Sequence, residues 1–201
     1  MRLLLLIFLT QKETDFVLKK LTTSTPLNGY EAIIGEVSLK ESAPEIFSFS
    51  IPKKMQRNVN AIIKKLLKFE PLSIGQSVVN KSQNIRLIRN SVDQYFILFE
   101  NESEVNPIMA SLAQSFYTTE QSDAWAGVLI SGKQAPLCLE RICPLDLSEK
   151  AFPVGTAVRT LMEHLNVLII KTGIEDFTLF SGSSSAISFL EAIEISARNI
   201  E

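Results

Sequence analysis

The chain is poor in the residues that carry chemistry. It has one histidine, His164, and two cysteines, Cys138 and Cys143. That set supplies neither a disulfide framework nor an ordinary zinc site, which takes four nitrogen or sulfur ligands, or three plus water. The two thiols suit a reducing compartment. No two of the eight glycines stand in a G-x-G arrangement, so the dinucleotide fingerprint and the phosphate-cradling loop are both missing. A formal net charge of −2 and a pI near 5.6 lack the basic excess of a sequence-independent nucleic-acid binder. The apolar run Leu3 to Leu9 falls far short of the ~20 residues of a membrane span. It follows Arg2 in the order of an export signal, but Gln11-Lys12-Glu13 comes next with no small-x-small cleavage site. We read this stretch as an ordinary N-terminal segment, or as residues translated from a start set too far upstream. The protein is read as cytoplasmic, with no membrane and no nucleic acid among its partners.

What is present is the material of a core. The chain of 201 residues is 46% hydrophobic and 21% charged, as in folded globular proteins. A mean hydropathy of +0.17 implies either a generous core or an apolar surface that meets a partner.

Residues 1–40 carry turn signals, with a short strand at Ala32-Ile33-Ile34, and are assigned to a lead-in. Residues 41–201 are assigned to one α+β domain. Phe47, Phe49 and Ile51 alternate with serines, the period of a half-buried strand. Val59, Ile62, Ile63, Leu66 and Leu67 then make one apolar stripe of a helix over Gln56 to Phe69, closed by Pro71. A hairpin around Asn90-Ser91 joins Ile85–Ile88 to Tyr95–Phe99, and a helix from Pro107 buries Ile108, Met109 and Leu112.

The order recurs. Trp125 to Ser131 is a strand and Gln134 to Ile142 a helix. Strands follow at Thr156–Met162, Val167–Ile170 and Phe177–Phe180. A last helix, Ser184 to Asn199, presents Ile187, Leu190, Ile193 and Ala197. Gly75 matches Gly155, and Asp93–Phe96 matches Glu175–Thr178 with a drift of two positions. The expected fold is an internally duplicated pair of βαββα units, halves about 46–120 and 121–201, with helices on one face of an antiparallel-rich sheet.

Candidate sites are few. Cys143 and His164 are the Cys–His pairing of interest for nucleophilic chemistry; the plainer reading buries Cys143 after a helix and sets His164 in a strand turn. Ser122-Asp123-Ala124-Trp125 is either a turn with Asp123 bonding the backbone, or a contact surface for another subunit. The basic face Lys53, Lys54, Arg57, Lys64, Lys65 and Lys68 is either solvated or turned to an acidic partner.

From Gln121 the order of motifs is familiar. Gln121-Ser122-Asp123-Ala124-Trp125-Ala126 precedes Leu139-Glu140-Arg141-Ile142-Cys143-Pro144-Leu145-Asp146-Leu147. Phe152-Pro153-Val154-Gly155, Arg159-Thr160 and His164 follow. This series resembles the gamma subunit of heterotetrameric sarcosine oxidase, strongly over about eighty residues and by pattern over the preceding part. The Leu-rich N-terminus departs from the family pattern. The resemblance implies a fold similar to the folate-binding domain of glycine-cleavage aminomethyltransferases. It also implies a complex that demethylates sarcosine to glycine with hydrogen peroxide formed, the one-carbon unit passing to tetrahydrofolate or leaving as formaldehyde. FAD, FMN, NAD, zinc and tetrahydrofolate are then expected on the alpha, beta and delta subunits, with no cofactor and no catalytic residue in this chain. Docking is expected on the large alpha subunit. The motif residues Trp125, Arg141, Cys143, Pro144, Asp146, Pro153, Gly155, Arg159 and His164, with Asp123, are expected to be fold and docking determinants, and Asp146 and Arg159 to pair or to bind backbone. Two other readings stay open: a free-standing folate-dependent aminomethyltransferase-like protein, and a related complex acting on another N-methyl amine.

Overall fold

The alternation of phenylalanine and serine forms a strand, and so do the runs whose apolar residues leave no polar face. In the computed structural model, which describes residues 24–55, 57–82, 84–100 and 105–200, the order is as follows. Strands β1 (Glu31–Ile34) and β2 (Val37–Glu41) lead into β3 (Glu45–Ser50), helix α1 (Val59–Leu67), β4 (Ser77–Asn80), β5 (Ile85–Arg89), β6 (Gln94–Phe99) and α2 (Val105–Ala113). Then come β7 (Tyr117–Glu120), β8 (Trp125–Ser131), α3 (Ala135–Glu140), β9 (Ala157–Met162), β10 (Leu165–Lys171), β11 (Asp176–Gly182) and α4 (Ala186–Arg198). The apolar run at Leu3–Leu9 lies outside the described residues. No described helix is long and apolar enough to cross a membrane.

The strands make two antiparallel sheets, ordered β1-β2-β8-β11-β10-β9 and β4-β5-β6-β3-β7. Each unit lays its two helices on one face of its own sheet, and the two sheets meet on their other faces. Along β6, Tyr95, Ile97 and Phe99 turn to α1 and α2, while Phe96 and Leu98 turn to the sheet that holds β9, β10 and β11. Along β10, Val167 and Ile169 turn to α3 and α4, while Leu168 and Ile170 face the sheet that holds β3, β5 and β6. Burial on both faces explains why these strands are unbroken apolar runs. Each fully buried Leu, Ile or Phe contributes about 1.5–3 kcal/mol.

The duplication is deeper than two similar halves. β2 precedes β3 in the chain but pairs with β8 of the other unit, Leu39 opposite Ile130. β7 precedes β8 but pairs with β3, Ser48 opposite Thr119. The boundary between the units thus falls before β7 rather than near residue 120, and so divided the units have exchanged their leading strands. A second reciprocal contact joins the loops: Ser77 N–H donates to Gly155 O (2.7 Å) and Ala157 N–H to Gly75 O (2.8 Å). Gly75 and Gly155 both hold positive φ, 79° and 90°, a conformation glycine adopts without strain.

Several expectations are corrected. The stretch assigned to the lead-in supplies β1 and β2, whose Val37 and Leu39 are fully buried. Two sheets, one per unit, stand in place of a single sheet. The first unit has an additional strand, β4, too short for periodicity to reveal. The first helix ends at Lys68, whose left-handed backbone (φ 58°) donates its N–H to Lys64 O, ahead of Pro71. Ile187 is 71% exposed; the buried stripe of α4 runs through Ala186, Phe189, Ile193 and Ala197 instead.

The passage from β2 to β3 crosses over β8, where Ser42 N–H donates to Gly127 O (2.9 Å). A Cβ on Gly127 would lie 2.1 Å from Ser42 O and 2.7 Å from the Phe180 ring. Gly127→Ala is expected to cost about 3 kcal/mol in urea melts, as one transition shifted without a plateau, because each sheet takes a strand from the other unit. At the other end of the same unit, the Tyr30 hydroxyl donates to the Glu194 carboxylate on α4. Burial first, and then this bond, raise the Tyr30 pKa to about 12. An unfolded tyrosine ionises near 10, so the contact's stabilisation is intact below about pH 10 and is lost as pH rises through about 12. Over that window the melting temperature of the wild type should fall more steeply than that of Tyr30→Phe.

Candidate functional site

The motif residues fall in three places, all in the second unit. At the meeting of the two sheets, the turn Ser122–Ala124 delivers Trp125 into β8. Ser122 ties this turn to β3: its Oγ accepts Ile46 N–H (3.0 Å) and donates to Glu45 Oε2 (2.9 Å). Gln121 donates to Ser48 Oγ (3.0 Å) and accepts from Trp125 Nε1 (3.5 Å). Backbone bonding in the turn is therefore done by Ser122, with Asp123 left exposed. Trp125 meets Phe96 of the first unit edge-on, with ring centroids 6.0 Å apart. The Arg159 guanidinium lies 5.3 Å from both ring centroids, a cation over two π faces. The expected Asp146–Arg159 pair does not form, because these rings hold Arg159. Asp123 and Trp125 line two clefts of about 660 and 590 Å³.

The second place is the loop from Cys143 to Gly155. Cys143 N–H caps α3 at Leu139 O (3.0 Å), and its thiol is buried. Burial pushes the Cys143 and Cys138 thiols up, so both stay protonated at neutral pH and are poor nucleophiles. Asp146 does bind backbone: it accepts Ser148 N–H (2.9 Å) in a tight turn, and bonds from Ser148 hold its carboxyl below the usual range. Glu140 Oε1 accepts Leu147 N–H (2.9 Å). Pro144 and Pro153 are exposed, at the two ends of the loop.

The third is a cleft of about 480 Å³ between the β9–β10 hairpin, the end of α3 and α4. Arg141, Glu163, His164 and Glu191 line its rim, over Ile142, Leu165, Ala192 and Ile195. His164 is thus exposed in a hairpin turn while Cys143 is buried in the core, and the two do not form a nucleophile–base pair. Among the described residues no group of three or more His, Cys, Asp and Glu is placed to hold a metal ion.

Sequence reasoning missed Lys171, which holds the second place together. It is 2% exposed, and its Nζ donates to Leu147 O (3.0 Å), pairs with Glu149 (3.1 Å) and lies 5.7 Å from the Phe177 ring centroid. Its counterpart in the first unit is Arg89, which donates to Leu72 O (2.6 Å) and lies 5.5 Å from the Tyr95 ring. The backbones agree as well: Gly75 and Gly155 donate to Arg89 O and Lys171 O, both at 2.9 Å. The two-position drift already visible between Tyr95 and Phe177 was the signal that could have found it. Lys171→Ala leaves Leu147 O without its partner and should cost about 3 kcal/mol. Glu149→Gln, on a side chain 60% exposed, should cost under about 1 kcal/mol. Paired thermal melts would check the contrast.

No family model matches the chain. In sequence it is 36% identical over 55 residues to sarcosine oxidase subunit gamma of Corynebacterium sp. (strain P-1), covering 27% of each chain. It is 43% identical over 44 residues to the same-named subunit of an Arthrobacter species, covering 22% of each. The similarity thus spans about a quarter of the length of the curated relatives it matches. In fold it matches a chain of the heterotetrameric sarcosine oxidase from Corynebacterium sp. U-96 in complex with pyrrole 2-carboxylate, with a TM-score of 0.74 and 17% identity, over 88% of this chain and 95% of that one. It also matches glycine cleavage system aminomethyltransferase T from Bartonella henselae, with a TM-score of 0.58 and 14% identity, over 88% of this chain and 60% of that one. Both routes lead to sarcosine oxidase: by sequence the chain resembles its subunit gamma, and by fold a chain of the heterotetrameric enzyme.

Proposed function

We propose that this chain is the structural gamma subunit of a heterotetrameric sarcosine-oxidase-type enzyme, and that it serves by docking rather than by catalysis. The observation that carries the reading is the agreement of two independent likenesses, the local sequence match to subunit gamma and the fold match along nearly all of a chain of the heterotetramer. In this reading the chain supports oxidative demethylation of sarcosine to glycine and docks on the large alpha subunit. FAD, FMN, NAD, zinc and tetrahydrofolate reside on the alpha, beta and delta subunits, and the assembly works in the cytoplasm. Ser122, Trp125 and Arg159 fix the meeting of the two sheets, and Asp123 stands exposed beside them as a docking residue. Lys171 fixes the loop carrying Cys143, Pro144, Asp146, Pro153 and Gly155. Arg141 and His164 rim a cleft that also takes in Ile195, an exposed apolar side chain.

The alternative, a free-standing folate-dependent aminomethyltransferase-like protein, draws on the aminomethyltransferase fold and asks for an enclosed carboxylate to hold a pterin. Asp146 is exposed and committed to Ser148, and Asp123 is exposed at the mouth of its clefts, which favours the subunit reading.

Co-expression with the other subunits should give a complex in which a tag on this chain retains the large subunit through gel filtration, over an interface of ~1,000 Å² or more. Calorimetry of the isolated chain with tetrahydrofolate should give no heat of binding. A monodisperse chain that ignores the other subunits, or one that binds folate alone, would overturn the proposal.

A further inference from the structure

From Ile46 to Phe69 the chain holds no Asp or Glu, while Lys53, Lys54, Arg57, Lys64, Lys65 and Lys68 stand there. These six are drawn from 20 Lys and Arg in a chain with 22 Asp and Glu, so the remainder is distinctly acidic. All six are exposed. Of the ion pairs among the described residues, one involves this face, Lys64 with Glu70 at 2.7 Å, both well exposed.

Local stability accounts for half of this pattern. Lys64, Lys65 and Lys68 lie at the C-terminal end of α1, where the helix dipole favours cations. Arg57 lies immediately before its N-terminal end, where the dipole disfavours a cation, while Lys53 and Lys54 stand in the preceding turn Lys53–Met55, outside its reach. There the first turn has no acidic residue, and Asn58 makes no side-chain capping bond. Arg57 therefore sits where the helix itself would prefer a carboxylate, and among the described residues Lys53, Lys54 and Arg57 form no ion pair, so folding of this chain alone does not explain the cluster.

Two kinds of anionic partner are disfavoured by the rest of the molecule. The apolar face of α1, Val59, Ile63 and Leu67, is buried in its own core and offers nothing to insert into lipid. The acidic remainder of the chain opposes a polynucleotide, whose binding needs a broad basic footprint. An acidic protein surface fits both facts, since it needs only local complementarity.

We propose that the turn Lys53–Met55 with the outer face of α1 is an electrostatic docking surface for an acidic face of a partner subunit, with Lys53, Lys54 and Arg57 as its steering charges. The proposal rests on the subunit reading and adds to it the surface and the chemistry of contact.

The test compares two double charge reversals of equal net change in the co-expressed complex. Lys54→Glu/Arg57→Glu is expected to slow association with the partner subunits at least about tenfold at low salt and to flatten its salt dependence. The melting temperature of the isolated chain should hold or rise, because a glutamate at position 57 suits the helix N-terminal end and position 54 is exposed and, among the described residues, free of ion pairs. The control pair, Lys40→Glu/Lys133→Glu, lies elsewhere on the surface and should change association less than about twofold. Equal effects of the two pairs would mean that only net charge matters and would overturn the proposal. An unchanged association rate for Lys54→Glu/Arg57→Glu, with the complex still forming, would overturn it while leaving the subunit reading intact. If the wild-type chain forms no complex, both fall. Binding of the wild-type chain to duplex DNA or to phosphatidylserine vesicles, lost in Lys54→Glu/Arg57→Glu, would hand the face to another class of partner and overturn the proposal as well.

Discussion

Exchange of the leading strands is the constraint from which the rest of the molecule follows. β2, which leads the first unit, completes the sheet of the second, and β7, which leads the second unit, completes that of the first, so each sheet takes one strand from the other unit. An edge that would stand open in an isolated unit is filled by the other. The crossings must then pass through the space between the sheets, and they set its fittings. Gly127 gives room for Ser42 on one side, and the Gln121–Ala124 turn is clamped to Ile46 and Glu45 on the other. Trp125, Arg159 and Phe96 gather at the second crossing because the exchange brings β8 beside elements of the first unit.

The same pseudo-symmetry disposes of two anchoring cations, half-buried Arg89 and buried Lys171. Arg89 and Lys171 do one job twice: each reaches a loop carbonyl, covers an aromatic ring on the neighbouring strand and accepts a glycine N–H through its own backbone. The side chains differ in how they do it. Arg89 spreads its fork over the Leu72, Ser91 and Val92 carbonyls, whereas Lys171 takes one carbonyl and leans on Glu149. A planar fork satisfies several carbonyls at once; an ammonium acts as a compact point charge whose bonds are less directed. The loop carrying the family motif is thus tied down by the less redundant of the two anchors.

Much of this architecture could be read from the residues before any coordinates. The α1 stripe was legible because one face is apolar and the other charged. Strands β8, β10 and β11 were legible because their apolar runs are bounded by turn residues. The likeness of the halves showed in Gly75 and Gly155. What stayed hidden is what periodicity cannot encode. An alternating or apolar strand declares that it is a strand without naming its neighbour, so the exchange of β2 and β7 left no local trace. β4 is four residues, Ser77–Asn80, with no alternation to see. On α4 two apolar stripes compete, and Ile187 was assigned to the wrong one because Ala186 and Phe189 straddle it. A lysine carries no mark of burial, so Lys171 stood out only when set against Arg89. The site was legible as a set of motif residues, but their division among three places was not.

The exchange has a consequence for how the molecule comes into being. A ribosome delivers Val37 and Leu39 long before it delivers Ile130, the strand partner that must shelter them. At roughly 5–20 residues per second, β2 waits on the order of ten seconds with its hydrogen-bonding edge and apolar side chains uncovered. Vectorial synthesis therefore cannot finish the first half before the second begins. The nascent polypeptide is at its stickiest midway through translation, and that interval is where a chaperone or a neighbouring nascent subunit has most to gain by arriving.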